Sequence, residues 1–322
     1  MLFENQQVNI DFGQQMELSA SNALSDGKSK PFLEFFSQQI DILRQNGNLR
    51  TLETYKTAYK KFKKFLQNED IGFSHMTGDL MESYQTYLRG SNLAMNTISF
   101  HMRILRRIYN KAVEQGYSTD QHPFRHVYTG MATTEKRALA LKEIRKIKNL
   151  ILIDEKLRFA RDLFLFSFYT RGMAFVDMAY LKKSDIKNGV LTYKRHKTGQ
   201  QLSVHWEQNM QEIVDSYQPE SGPYLLPIIH KVNGKERNQY RNIQSKVNLN
   251  LKTLAQMVHI NPRLSMYCAR HSWATIARQQ NVPLAIISCA MGHSNEKTTE
   301  IYLKSIDNSV IDKVNHQIIN LL

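Results

Sequence analysis

Three short polar motifs in the last sixth of the sequence constrain the fold of the chain more than any other feature. Residues 267–275 read YCARHSWAT, residues 291–294 read MGHS, and residues 298–302 read TTEIY. Arg270, His293 and Tyr302 lie 23 and then 9 residues apart, on segments with a helical pattern. A guanidinium and an imidazole can bind a phosphodiester while a phenol attacks its phosphorus. The motifs therefore predict that helices bring these three groups to one site.

The same three motifs resemble the C-terminal motif of the tyrosine recombinases, also called phage integrases. In that family an Arg-His-Thr-x-Ala-Thr-like segment is followed by Leu-Gly-His-Ser and then by Thr-x-x-Tyr, at the spacing found here. Each motif alone is a weak signal, whereas the three in order and in register are specific. The resemblance implies that Tyr302 is the nucleophile and that Arg270 and His293 bind the phosphate.

Length and charge are consistent with this interpretation. The 322 residues suggest about two domains. A net charge of +14 indicates a polyanionic partner, most often nucleic acid; the alternative is a basic soluble protein without such a partner. No apolar run reaches the roughly 18 residues that span a membrane, and the polar N-terminus is no signal peptide. Cys268 and Cys289 fit neither a disulfide framework nor a metal site, so we expect reduced core thiols. We expect a cytoplasmic chain without cofactor or metal.

The first half of the chain predicts a helical domain over residues 30–126, preceded by a flexible arm over residues 1–29. Its second and fourth predicted helices each have a basic outer face, which predicts contact with the DNA backbone, although such a face can also be only solvated. Segments 48–55 and 96–106 resemble, more loosely, the SAM-like core-binding domain of the same recombinases. The residues assigned to the DNA contact are Lys56, Lys60, Lys63, His101, Arg103, Arg107 and Lys111.

Residues 127–134 are predicted to be a linker, and residues 135–322 a catalytic domain that ends in an amphipathic tail helix. The resulting fold class is mainly α with a small β-hairpin, that is, α+β. The hairpin has arms at 190–194 and 201–204. The tail helix packs either on its own domain or, as often in the family, on a neighbouring protomer. Helices are predicted at 142–151, 155–170, 207–217, 240–258, 267–280, 283–291 and 306–321.

A second arginine is expected on the phosphate, because phosphodiester attack places extra negative charge on its non-bridging oxygens. Arg171 is the candidate, since it ends an apolar helix and needs an anionic partner there. The family has Arg three residues before an acidic residue, whereas Arg171 precedes Asp177 by six and Ala174 holds the usual position. The alternative is a structural pair between Arg171 and Asp177. This segment resembles recombinases of Bacteroides-type mobile and invertible elements.

The hairpin turn supplies the candidate general acid. In the family a hairpin lysine reaches the minor groove and protonates the leaving 5′ oxygen, and the Lys-Thr-Gly context favours Lys197 for this role. Lys194 and Arg195 are close competitors that we otherwise assign to DNA binding, and His196 is a further candidate helper. The alternative for Lys197 is a solvated turn lysine.

Tyr267 departs from the family pattern, which has His three residues before the arginine. Positions three apart share a helix face, so Tyr267 is expected to face the phosphate with Arg270. It can donate a hydrogen bond but cannot hold positive charge near neutral pH. His271 is assigned to DNA binding, with a buried structural histidine as the alternative.

Together these features predict site-specific DNA recombination through a 3′-phosphotyrosyl intermediate, without ATP. The expected partner is double-stranded DNA bearing recombination sites. The expected assembly is a homo-tetramer on DNA, which is compatible with a monomer in free solution. Two alternatives remain: a non-catalytic DNA-binding protein on a recombinase fold, and a type IB-like topoisomerase that relaxes DNA as a monomer.

Overall fold

A computed structural model of the chain describes residues 30–133, 137–217, 222–260 and 264–293. The chain divides into two compact units, with the boundary between residues 134 and 135. The predicted arm over residues 1–29 and the predicted tail helix at 306–321 lie outside the described residues. Among the residues that are described, no helix is both long enough and apolar enough to cross a membrane.

The first unit is a bundle of four helices over its described part. The helices are α1 (Phe32–Gln45), α2 (Leu49–Phe65), α3 (Gly78–Gly90) and α4 (Met95–Glu114). Thr77 caps α3, because its side chain accepts a hydrogen bond from the backbone N–H of Leu80. Asp70, which is distant in sequence, caps the N-terminus of α1. Its two carboxylate oxygens accept hydrogen bonds from the backbone N–H groups of Leu33 and Glu34 at 2.7 and 2.9 Å.

The core of this bundle is built around α4, which packs against each of the other three helices. A central helix buries more than one stripe, so residues on its sides are buried as well as those on its inner face. Aromatic rings fill much of the space between the helices. Phe32 makes edge-to-face contacts with Phe36, Phe62 and Phe73 at ring-centroid distances of 5.5–6.1 Å.

The second unit combines helices with one antiparallel sheet, as the predicted α+β class requires. Its helices are α5 (Leu141–Lys148), α6 (Glu155–Tyr169), α7 (Phe175–Tyr180), α8 (Gln208–Ser216), α9 (Glu236–Met257), α10 (Met266–Gln279) and α11 (Leu284–Ala290). The sheet has the order β1 (Ile186–Lys187), β2 (Val190–Lys194), β3 (Gln201–His205), with Thr192 paired to Ser203. The predicted hairpin is thus present, and α7 and β1 are additional elements.

Helix α6 is the centre of this unit, and its C-terminal end leads directly into the site. Its apolar run from Leu163 to Phe166 is buried, and it packs against α5, α8, α9 and α10. After α6 the chain turns sharply, because Arg171 and Gly172 both adopt left-handed backbone with φ of 61° and 75°. The backbone N–H of Gly172 donates to the carbonyl of Ser167 at 2.7 Å, which closes the turn.

The two cysteines are both free, but only one lies in a core. Cys268 is buried on α10, as expected, whereas Cys289 is exposed. The expectation of a core position for Cys289 was wrong because Ile287 and Met291 occupy the buried face of this segment.

Candidate active site

Arg270 is the centre of the site and is fixed by three acceptors. It lies on α10 and is buried, with 5% of its surface exposed. One terminal nitrogen, Nη1, donates to the carbonyl of Gly172 at 2.9 Å, and Nη2 donates to the carbonyl of Met291 at 2.7 Å. The same Nη2 lies 2.9 Å from Nε2 of His293. The first two of the three polar motifs therefore meet, as the sequence predicts for Arg270 and His293.

Gly172 permits this arrangement because it packs directly on the backbone of α10. A Cβ atom at position 172 would lie 2.5 Å from Cα of Arg270 and 2.8 Å from its Cβ. The positive φ of 75° also disfavours any other residue there. The turn after α6 and the arginine helix are thus held at a fixed distance.

His293 follows the end of α11 and is held as a neutral imidazole. Gly292 has a φ of 65°, and the backbone N–H of His293 returns to the carbonyl of Ser288 at 2.9 Å. Because a guanidinium only donates, Nε2 of His293 accepts from Arg270 and the ring proton lies on Nδ1. Burial, and next the charges of Arg270 and Arg195, lower the pKa of His293 to about 4.

Arg195 lies inside the site and is buried, and its assignment to DNA binding stays a prediction. Only 8% of its surface is exposed, and its Nη1 donates a short hydrogen bond to the carbonyl of Gly292. Burial, and next the charge of Arg195, lower the pKa of Arg270 to about 10. The sequence gives no sign of this burial, because a basic residue beside a turn usually faces water, whereas this turn folds its first residue inward.

The turn between β2 and β3 is closed by backbone hydrogen bonds and is also bonded to a side chain of α7. The backbone N–H of Arg195 donates to the carbonyl of Gln200 at 2.9 Å, and that of Gly199 returns to the carbonyl of Arg195 at 2.8 Å. The buried carboxylate of Asp177 accepts from the backbone N–H of His196 at 2.8 Å and lies 3.4 Å from its Nδ1. Asp177 therefore anchors the hairpin turn to α7 through His196.

Asp177 pairs with His196 and not with Arg171, so the predicted alternative of a structural Arg171–Asp177 pair was wrong. Nη1 of Arg171 donates instead to the carbonyl of Ser203 on β3, at 3.3 Å. Arg171 is only partly buried. It is nevertheless within electrostatic range of the site, because it is one of the cations that oppose the burial-driven rise in the pKa of Tyr193 to about 12.

The two hairpin lysines differ in position. Lys197 is exposed at the turn, and its charge reaches His293, where it contributes to the lowered pKa of that imidazole. Lys194 is also exposed and lines a cavity of about 270 Å³ together with Tyr180 and Asp185. Of the two hairpin lysines, Lys197 is therefore the one whose charge acts on His293.

Tyr267 and His271 lie side by side on the first turns of α10. Their rings meet edge to face at a centroid distance of 4.6 Å, and 53% of the surface of Tyr267 is exposed. Burial raises the pKa of Tyr267, with Arg270 and Arg195 opposing the rise. The phenol is thus a protonated hydrogen-bond donor at neutral pH. Tyr302, the predicted nucleophile, lies outside the described residues.

The predicted DNA-contacting residues of the first unit divide by exposure. Lys60, Arg103 and Arg107 are exposed, whereas His101 is 4% exposed. The expected outward position of His101 was wrong, because α4 is central and buries its flanks. Burial, with the charge of Lys61, lowers the pKa of His101 to about 4, so the ring is neutral. Lys56, Lys63 and Lys111 are partly buried.

A further basic surface, at the start of α9, was not identified from the sequence. Two side chains organise its exposed loop: Gln239 accepts from the backbone N–H groups of His230 and Lys231, each at 3.1 Å, and Glu236 accepts from that of Gly234 at 2.9 Å. The surface comprises Lys231, Lys235, Arg237 and Arg241. The signal available was this cluster of four cations within eleven residues.

Two family models match the chain. One, described as the phage integrase SAM-like domain, matches residues 31–128, and the other, described as the phage integrase family, matches residues 137–309. The second match alone covers more than half of the chain.

Individual proteins agree with these matches. The tyrosine recombinase XerD of Rhizobium meliloti is 23% identical over 310 residues, which span 89% of this chain and 95% of that protein. The Tn1549 transposon integrase, solved with transposon right end DNA, has a TM-score of 0.68 at 13% identity and covers 91% of this chain and 99% of that one. A lambda integrase tetramer bound to a Holliday junction has a TM-score of 0.63 at 14% identity, covering 88% and 85%. At these identities the solved structures show a shared fold.

Proposed function

The chain belongs to the phage integrase family of tyrosine recombinases, and we propose that it recombines DNA at specific sites through a covalent intermediate on Tyr302. One observation supports this best: Nη2 of the buried Arg270 lies 2.9 Å from Nε2 of His293. Two phosphate-binding groups from separate motifs stand side by side, in the register that the family pairs with a nucleophilic tyrosine nine residues after the histidine.

In the proposed reaction the phenolic oxygen of Tyr302 attacks the scissile phosphorus, and the phenolic proton passes to solvent water as the new phosphorus–oxygen bond forms. The bond from phosphorus to the 5′ oxygen breaks, and Lys197 supplies the proton that makes the leaving group a 5′ hydroxyl. Arg270 stabilises the negative charge on the non-bridging oxygens, and the neutral His293 donates from Nδ1. Because the phosphotyrosyl ester conserves the phosphodiester bond energy, a 5′ hydroxyl from another strand can reverse the reaction without ATP.

Tyr267 acts as an additional donor to the phosphate in this proposal. Its phenol stays protonated near neutral pH, since burial raises its pKa. It lies three residues before Arg270, on the same face of α10. It therefore supplies a hydrogen bond and no charge.

The proposed partner is double-stranded DNA. The exposed cations of α2 and α4, with the basic surface at the start of α9, provide phosphate contacts on both units. Because the similar lambda integrase is a tetramer on a Holliday junction, we propose a homo-tetramer on DNA here as well. The reaction takes place in the cytoplasm, and the resemblance to recombinases of Bacteroides-type elements remains a prediction.

Covalent selection tests this function and supplies a substrate. The wild-type chain is incubated with nicked duplexes of random sequence, and strands that stay attached through denaturing detergent are sequenced. We call the recovered cleavage sequence the site duplex. Absence of any covalent strand would favour the non-catalytic DNA-binding alternative.

Paired site duplexes then separate recombination from topoisomerase activity. We expect Holliday junctions and exchanged products that require two sites. Relaxation of supercoiled DNA without strand exchange would instead indicate the topoisomerase alternative.

A further inference from the structure

We infer that Arg195 of the hairpin, and not Arg171, is the second arginine on the scissile phosphate, an assignment that rests on the proposed function. Ala174 holds the position at which the family has its first arginine, and the arginine of this segment, Arg171, lies three residues earlier. The hairpin supplies a cation to the site from a different part of the chain.

The first argument is burial of charge. Arg195 and Arg270 are 8% and 5% exposed, and both donate to backbone carbonyls. The ion pairs within the described ranges, taken at 4 Å or less, include neither guanidinium. The buried carboxylate of Asp177 acts on Arg270 only from beyond ion-pair distance. Two adjacent buried cations without a directly paired counterion among the described residues are unfavourable, and an anion between them would relieve both. A phosphodiester is such an anion.

The second argument is the number of donors. A guanidinium has five N–H groups, and the side-chain hydrogen bonds of Arg195 within the described ranges use only the one to Gly292. The remaining N–H groups leave Arg195 able to bind two oxygens of one phosphate in the paired geometry that arginine favours.

The third argument is the support beneath the side chain. A Cβ atom at position 292 would lie 2.9 Å from Cδ of Arg195 and 2.9 Å from Cδ1 of Leu202. The glycine before His293 therefore makes room for the arginine, and its carbonyl holds the guanidinium. Arg195 is fixed beside Arg270 before DNA arrives, which is the preorganisation that stabilises a transition state.

Arg171 also has spare donors, but it has neither the burial nor the glycine support of Arg195. It is more exposed than Arg195, and its side chain makes a longer bond, 3.3 Å, to the carbonyl of Ser203. A solvated cation stabilises a developing charge less than a buried one, because water screens it. Arg171 is expected to contribute to DNA binding more than to cleavage.

The test compares single variants on the site duplex. We expect Arg195→Ala to slow adduct formation by roughly 100- to 1000-fold, the range for one lost transition-state donor. Arg171→Ala is expected to slow it less than about tenfold, as is Lys187→Ala, the control at an exposed residue of β1 with no assigned DNA contact. Arg195→Lys keeps the charge but not the fork, so we expect an intermediate rate.

A second substrate distinguishes contact with the phosphate from a structural role. A site duplex with a methylphosphonate at the cleavage position lacks one negative oxygen, so the charge of Arg195 is no longer needed there. We expect the defect of Arg195→Ala, or of Arg195→Lys if the alanine variant does not fold, to shrink at least about tenfold on this substrate.

Two results would overturn the assignment: a larger loss for Arg171→Ala than for Arg195→Ala, or an equal Arg195 defect on both substrates. Neither would affect the proposed function, which fails if the wild-type chain forms no adduct, if paired sites give no strand exchange or if Tyr302→Phe still forms the adduct.

Discussion

Gly172→Ala tests whether the turn after α6 sets the position of Arg270. The added Cβ would lie 2.5 Å from Cα of Arg270, about 0.9 Å closer than ordinary contact. Because that atom belongs to the backbone of α10, no side-chain rotation relieves the overlap. The turn and the helix must move apart by a similar distance, and the carbonyl of Gly172 that accepts from Arg270 moves with the turn.

The magnitude follows from two separate costs. Left-handed backbone costs a non-glycine residue about 1–2 kcal/mol, and overpacking adds about 1–3 kcal/mol. A displacement of about 1 Å at a reacting group can lower a rate by about 100-fold. We therefore expect Gly172→Ala to reduce adduct formation on the site duplex by about 100-fold and to lower stability by about 2–5 kcal/mol.

Gly189→Ala is the matched control, because Gly189 has a φ of 71° and a Cβ added there would meet no heavy atom of the described residues within 4 Å. It bears the backbone cost alone, so we expect a loss of about 1–2 kcal/mol and a cleavage rate within about threefold of wild type. The assays are chemical denaturation and adduct formation for both variants. Equal effects of the two substitutions on cleavage would refute the argument that contact with Arg270 matters.

Two further predictions concern DNA contact and the phosphate. Reversing the charge of Arg103 and Arg107 together is expected to make DNA binding less sensitive to salt. The slope of log affinity against log salt concentration should fall by about 1.8 or more, since each phosphate contact contributes roughly 0.9. Arg44→Glu on α1 is the control, and an unchanged slope in the double variant would mean that both arginines are only solvated. Tyr267→Phe removes a hydrogen-bond donor and is expected to slow cleavage by roughly 10- to 1000-fold. This loss should be smaller than that of Arg270→Ala and larger than that of Tyr267→His. Cleavage at the wild-type rate by Tyr267→Phe would mean that Tyr267 only packs.

The helices and the hairpin were predictable because their signals are local. Apolar residues at helical spacing mark α6 and α10, and Thr77 gives α3 a local N-terminal cap. Helix α7 has only six residues, too few for a periodic pattern, and β1 has only two. Such short elements depend on tertiary contacts, so sequence periodicity cannot reveal them.

The positions of side chains in the site were predictable where a sequence motif determines them, but not where tertiary packing determines them. Arg270 and His293 meet as their spacing implies. The burial of Arg195 was not predictable, because nothing local in the hairpin indicates that its side chain turns inward over Gly292; its assignment to DNA binding stays a prediction. His101 was assigned to an outer face because α4 was treated as a helix with one buried stripe, whereas it contacts three neighbours.

The central claim, that Tyr302 cleaves DNA, is tested most directly by one comparison. Wild type and Tyr302→Phe are incubated with the site duplex, and covalent adducts are separated on a denaturing gel after equal binding is established. The substitution removes only the nucleophilic oxygen, so we expect equal affinity and no adduct from Tyr302→Phe. An adduct at the wild-type level from that variant would contradict the account.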